Sequence, residues 1–185
     1  MTTPLAYAKA HQEKHLNELQ AFLRIPSVST QPEHASDVAL AAQWLADSLQ
    51  EAGLDHVQVI QTPGHPLVYA DWLHAGADVP TVLIYGHYDV QPAEPFDLWQ
   101  SPPFEPTVRD NYLYARGASD DKGQAFIHVK AVQAHLAANG RLPVNVKFIM
   151  EGEEEMGGAS LQAFIPENKE LLKADVALVS DTAMI

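Results

Sequence analysis

The sequence predicts an α/β protein, a three-layer sandwich with a largely parallel central sheet. Segments with apolar residues at helical spacing alternate along the chain with short apolar runs. One of these runs, TVLIYG at 81–86, is nearly continuous, as is typical of a strand buried on both faces of a sheet. Turn residues such as TPGHP (62–66) separate the segments, which supports the same class.

The predicted elements follow one another in a simple order. Helices are expected over 4–24, 36–52, 123–139 and 159–173, the last one bent near Pro166. Strands are expected at 57–61, 67–73, 81–86, 144–150 and 176–181. The segment 91–106 holds five prolines and is predicted to be a loop, with a hairpin-like segment after it at 111–117. We expect a single domain without an internal boundary.

Composition excludes several classes of function. The formal net charge of −13 argues against a nucleic-acid partner, because no basic patch is available to neutralise phosphates. The absence of cysteine excludes disulfides and thiolate metal ligands. The apolar runs are far shorter than the ~20 residues that a membrane span needs. The polar N-terminus has no apolar signal-peptide core, so we expect a cytoplasmic protein without a membrane partner.

Metal-binding side chains recur where predicted strands or helices meet loops. They lie in four motifs: GHYDV (His87, Asp89), ASDDKG (Asp120), EGEEEMGG (Glu154, Glu155) and LVSDT (Asp181). Three of these motifs directly follow apolar strands, and ligands of open α/β sheets gather at the carboxyl ends of the strands. We therefore expect the motifs to form one site.

Each motif alone also has a structural interpretation. His87 fits a surface turn, Asp120 a helix cap, and Asp181 a turn after a strand. The acidic run 153–155 is harder to explain in this way, because adjacent carboxylates repel one another unless a cation offsets their charge. A mixed imidazole and carboxylate set fits zinc, manganese or cobalt. Two such ions sharing a water would supply hydrolytic chemistry.

The motifs together resemble a known family. The run TVLIYGHYDVQPAEPFDLWQSPPFEPTVRDNYLYARGASDDKGQ, followed by EGEEEMGG and LVSD, is similar to the di-zinc metallopeptidase superfamily of aminoacylases, carboxypeptidases and dipeptidases. Within that superfamily it resembles most closely the carnosinase-like cytosolic dipeptidases. The resemblance covers nearly the whole chain, in order and at family-like spacings.

The resemblance implies a role for each motif residue. His87 and Asp181 would bind one zinc ion, Glu155 the other, and Asp120 both, with a cis peptide bond between Asp120 and Asp121. The catalytic residues would be Glu154, the general base, and Asp89, which steadies His87. The three-acid run leaves a choice between the pairs 153/154 and 154/155. We choose the later pair because it directly precedes Met156 and Gly157.

The resemblance also defines what this sequence lacks. The family's last zinc ligand is a histidine far downstream, whereas the nine histidines here lie at or before His135. A smaller lid domain, which in the family carries homodimer contacts and a clamp for the substrate carboxylate, is also missing. We therefore expect residues 1–185 to be the N-terminal part of a catalytic domain.

The expected function is metal-dependent hydrolysis of the amide bond of dipeptides or short peptides, with two zinc ions per full active site and manganese or cobalt as alternatives. Two other interpretations stay open: an N-acyl-amino-acid deacylase of the same superfamily, and an inactive truncated remnant. Outside the four motifs, we expect His128 and His135 to be surface or core-packing residues rather than a ligand pair. We expect Trp99 and Phe104 to be packing anchors of the proline-rich loop rather than substrate contacts.

Overall fold

The structure is a computed structural model that describes residues 2–182. Its helices are α1 (Pro4–Ala10), α2 (Gln12–Leu23), α3 (Ala35–Glu51), α4 (Lys122–Asn139), α5 (Ala159–Glu167) and α6 (Lys169–Leu172). Its strands are β1 (Asp55–Ile60), β2 (Leu67–Trp72), β3 (Thr81–His87), β4 (Thr107–Arg109), β5 (Tyr112–Tyr114), β6 (Asn145–Glu151) and β7 (Val176–Val179). The predicted elements are thus present, with shifted ends.

The central sheet is mixed. Its five strands lie in the order β1-β2-β6-β3-β7, and β3 pairs in parallel with both β6 and β7. The other two ladders, β1 with β2 and β2 with β6, are antiparallel. The expectation of a largely parallel sheet therefore holds only for β3, β6 and β7. The reason is the short connection between β1 and β2, which permits only an antiparallel pair.

Helices cover both faces of the sheet, which confirms the α/β class and its three layers. On one face, α2, α3 and α4 pack on the strands in the larger apolar core, which includes Leu45, Val129 and Phe148. On the other face, Leu161 of α5 and Leu172 of α6 pack on Tyr69 and neighbouring strand residues. All seven residues of β6 are buried, as expected of the middle strand of a sandwich.

Two predicted helices are divided. The first is interrupted at His11, which separates α1 from α2. The last is interrupted at Asn168, two residues after the bend expected near Pro166, which itself lies inside α5. The hairpin-like segment is a two-stranded sheet of β4 and β5, whose turn uses positive φ angles at Asp110 and Asn111.

Within residues 2–182 we find no helix with the length and apolarity that crossing a bilayer would require.

Candidate metal centre

The predicted site residues meet at one edge of the central sheet. His87 is the last residue of β3 and lies beside Glu151, the last residue of β6. Glu154 and Glu155 lie in a single 3₁₀ turn just beyond β6, and Asp181 lies two residues beyond β7. Asp120 lies two residues before the start of α4. The parallel arrangement of β3, β6 and β7 brings their carboxyl ends together, as the sequence predicted.

The Nε2 atom of His87 is the point on which the acids converge. It lies 3.0 Å from Oδ1 of Asp120, 3.5 Å from Oδ2 of Asp181 and 4.0 Å from Oε2 of Glu154. Two groups of potential ligands share this imidazole: His87 with Asp120 and Asp181, and His87 with Glu154 and Glu155. Within each group the ligand atoms lie within 4.8 Å of one another. The peptide bond between Asp120 and Asp121 is cis, as the resemblance implied.

Asp89 contacts His87 on the ring nitrogen opposite the acids and also contacts the backbone of Glu154 and Glu155. Nδ1 of His87 lies 3.0 Å from the carbonyl oxygen of Asp89 and 3.3 Å from its carboxylate, so the other ring nitrogen faces the acids. The fully buried carboxylate also accepts hydrogen bonds from the backbone N–H groups of Glu154 and Glu155. A further hydrogen bond comes from the hydroxyl of Ser29, at 2.6 Å. Ser29 was not predicted, because it lies far from the motifs along the chain.

A second buried acid supports His87 and was not predicted. Asp121 is fully buried, and its Oδ2 accepts a hydrogen bond from the backbone N–H of His87 at 3.1 Å. A Cβ atom at Gly86 would lie 2.7 Å from this oxygen, so the glycine of GHYDV is needed for the close approach. The other oxygen, Oδ1, has no hydrogen-bond partner among residues 2–182. Burial raises the pKa of Asp121 to about 6.

The glutamate run divides into two parts. The carboxylate of Glu153 points away from the cluster and accepts hydrogen bonds from the backbone N–H groups of His65 and Ser160, both at 2.9 Å. Glu154 and Glu155 face His87. The geometry therefore favours the later pair as the functional one. Gln91 orients Glu155, since its side-chain amide donates to Oε2 at 2.7 Å and its backbone N–H to Oε1 at 3.2 Å.

The electrostatics of the cluster favour a bound cation. Burial alone would lower the pKa of His87, but the hydrogen bond and charge of Asp89, with the charges of Asp121 and Asp120, raise it to about 10. Burial also raises the pKa of Glu155. These directions show a surplus of carboxylates around one imidazole. A divalent cation bound at Nε2 would replace the proton there and offset the negative charge of the carboxylates. Zinc, manganese and cobalt accept both nitrogen and oxygen ligands, so the residues fit these ions.

The remaining singled-out residues have structural contacts. Trp99 donates from Nε1 to the carbonyl of Ala93 at 2.8 Å and lies against the guanidinium of Arg116, in agreement with a loop anchor. His128 is partly buried, and its Nε2 lies 2.7 Å from the hydroxyl of Ser180, next to Asp181. Lys122 is buried and donates to the carbonyls of Phe22 and Ile25, which fixes the start of α4 to the end of α2.

Comparison with known proteins identifies relatives of this chain. The chain is 37% identical over 177 residues to a cysteinylglycine-S-conjugate dipeptidase of Corynebacterium striatum, covering 92% of this chain and 37% of the relative. It is 33% identical to a human beta-Ala-His dipeptidase, covering 97% of this chain and 38% of the relative. The chain therefore spans less than two fifths of the length of these two relatives.

Solved structures give the same result. The structure of human carnosine dipeptidase 1 matches with a TM-score of 0.89 at 33% identity, covering 98% of this chain and 41% of that one. A dipeptidase from Saccharomyces cerevisiae matches with a TM-score of 0.90 at 25% identity, with the same two coverages. The family model described as "Peptidase family M20/M25/M40" matches residues 83–184, which include all of the proposed ligands. The chain belongs to this peptidase family.

Proposed function

We propose that the protein is a metal-dependent hydrolase that cleaves the amide bond of dipeptides or short peptides. The observation that carries the proposal is the convergence of four carboxylates, from Asp120, Glu154, Glu155 and Asp181, on the Nε2 side of one buried imidazole. A catalytic arrangement needs such a convergence, whereas solvated acidic groups do not. Both relatives described above are named as dipeptidases, which supports the same substrate class.

The residues would divide the work as follows. His87 and Asp181 would hold one ion, Glu155 would hold a second, and Asp120, whose side chain is more than half exposed, would reach both. We propose zinc for both positions, with manganese or cobalt as alternatives. Bound divalent ions would activate a water molecule and polarise the carbonyl of the scissile bond. Asp89 would keep the His87 ring oriented through Nδ1.

Glu154 would serve as the general base. Its carboxylate is partly exposed and lies 4.0 Å from Nε2 of His87, while its backbone N–H is fixed by Asp89. A partly exposed carboxylate beside the cluster could take a proton from water and pass it to the leaving amine. Gln91 holds the neighbouring Glu155 by its carboxylate, so the two adjacent glutamates can have different tasks.

Replacement of Glu154 tests the base assignment. In the intact protein, Glu154→Gln should abolish dipeptide hydrolysis while the metal content stays at about two ions per chain. Glu13→Gln, on an exposed position of α2, provides a matched control that should keep full activity. Unchanged turnover in the Glu154 variant would remove the base assignment. Loss of metal together with activity would instead identify Glu154 as a ligand.

A second candidate is deacylation of N-acyl amino acids by the same residues. Supporting it, a stretch equal to 45% of this chain is 42% identical to a succinyl-diaminopimelate desuccinylase of Dechloromonas aromatica. Parallel assays on dipeptides and on N-acetyl and N-succinyl amino acids would distinguish the two activities.

Homodimerisation and a cytoplasmic location, both expected from the sequence, stay predictions. Light scattering on the intact protein would check the first.

A further inference from the structure

Gln124, in the first turn of α4, faces the segment that carries Asp181. Its side-chain amide donates one hydrogen bond to the carbonyl of Ser180, at 2.7 Å, and a second to the carbonyl of Thr182, at 3.0 Å. Both partners are carbonyl oxygens, which only accept hydrogen bonds, so the nitrogen must be the atom that faces them. A single NH₂ group thus holds the backbone on both sides of Asp181.

This segment has few other fixed contacts in the described part of the chain. Strand β7 lies at the edge of the sheet, and all four of its residues are exposed. Beyond the strand, Thr182 bonds back to the carbonyl of Ser180, and Ser180 contacts His128 of α4 through its hydroxyl. Gln124 is itself buried, so water competes little for its two hydrogen bonds. The ladder between β7 and β3 extends only to Val179, so beyond it the position of Asp181 depends largely on its contacts with α4.

The same end of α4 carries another proposed ligand. Asp120 lies four residues before Gln124, and both Asp120 and Asp181 approach Nε2 of His87, at 3.0 and 3.5 Å. We propose that Gln124 is a positioning residue that fixes Asp181 relative to Asp120 and His87, and thereby sets the metal affinity of this half of the centre. This inference rests on the proposed function. Partners that orient metal ligands in this way typically change affinity by about 10- to 100-fold.

Zinc affinity of the intact protein, freed of metal with a chelator, provides the test. Gln124→Met removes the donors at similar length, and Gln124→Glu keeps the shape but offers no N–H. In competition titrations, both should bind one of the two ions about 10- to 100-fold less tightly than the wild type does, while the other ion is affected less. Gln133→Met provides the control, because Gln133 is buried on the same helix but bonds to Lys130. It should bind zinc like the wild type.

A double-mutant cycle separates positioning from general destabilisation. If Gln124 acts through Asp181, then Gln124→Met should have little further effect on zinc affinity in an Asp181→Asn background. Additive losses in the cycle, or wild-type affinity in both Gln124 variants, would overturn the inference. Failure of the wild type to take up zinc would instead refute the proposed function. Urea unfolding of each variant checks that the comparison is made between folded proteins.

Discussion

Asp89 lies behind His87 and connects it to the glutamate turn. The Asp89 carboxylate lies 3.3 Å from Nδ1 of the imidazole, and the same group accepts the N–H groups that begin the turn of Glu154 and Glu155. One buried carboxylate thus orients a proposed ligand from β3 and two proposed site residues that follow β6. The proposed metal centre therefore depends on a buried residue that would not itself bind a metal ion.

Replacement of Asp89 should accordingly weaken metal binding. Asp89→Asn retains the shape but places an NH₂ group against one of the two N–H donors of the glutamate turn, so that donor loses its acceptor and the charge beside Nδ1 of His87 is removed. We expect zinc affinity to fall by about 10- to 100-fold, measured by competition with a chromophoric chelator. Asp47→Asn, on the exposed side of α3, is the control. A wild-type affinity in Asp89→Asn would contradict the orienting role.

The two kinds of glutamate in the acidic run should respond oppositely to mutation. Glu153→Gln puts an amide group opposite the N–H of His65 or Ser160, and should cost about 1–3 kcal/mol of unfolding free energy while metal content is kept. Glu155→Gln should lower metal content with little change in the stability of the metal-free protein. Urea unfolding and metal analysis on the same samples measure both effects. Metal loss in Glu153→Gln would favour the earlier pair instead.

Metal removal should lower the stability of the wild type. An ion that binds only the folded chain adds about 2.7 kcal/mol at a free concentration 100 times its dissociation constant. We expect Tm to rise on zinc addition and to fall after chelation. Asp120→Ala removes the carboxylate nearest to Nε2 of His87 and should greatly reduce the response. An equal zinc-dependent rise in that variant would place the binding site elsewhere.

The helix that begins with the Asp-Asp-Lys-Gly motif should not accept a side chain at Gly123. A Cβ atom there would lie 2.0 Å from the carbonyl oxygen of Ala118, a backbone atom that cannot move aside alone. We expect Gly123→Ala to destabilise the protein by at least about 3 kcal/mol, or to prevent folding. Gly140→Ala meets no atom within 4 Å and should cost only about 1 kcal/mol, because of its positive φ. Thermal unfolding compares the two variants, and similar losses would show that the contact with Ala118 is relieved.

The site could be predicted to the extent that its residues lie in local motifs. His87, Asp120, Glu154 and Asp181 follow recognisable strand or loop patterns, and the structure brings them together. Ser29, Gln91 and Gln124 could not be found in this way. Each is a common polar residue whose side chain does not by itself indicate a metal site, and its role comes from a partner about 60 positions away along the chain. Such pairings depend on packing rather than on periodicity.

The sequence by itself determined the alternation of helices and strands and the identity of the chemical groups, because hydrophobic spacing and side-chain chemistry are local properties. Only the tertiary structure decided that two of the four strand pairings in the central sheet are antiparallel, that the Glu153 carboxylate points away from the cluster, and that Asp121 accepts a hydrogen bond from the backbone of His87. These outcomes depend on how the connecting loops direct the strands and on which buried N–H groups need an acceptor. Both become fixed only when segments that are distant along the chain pack together.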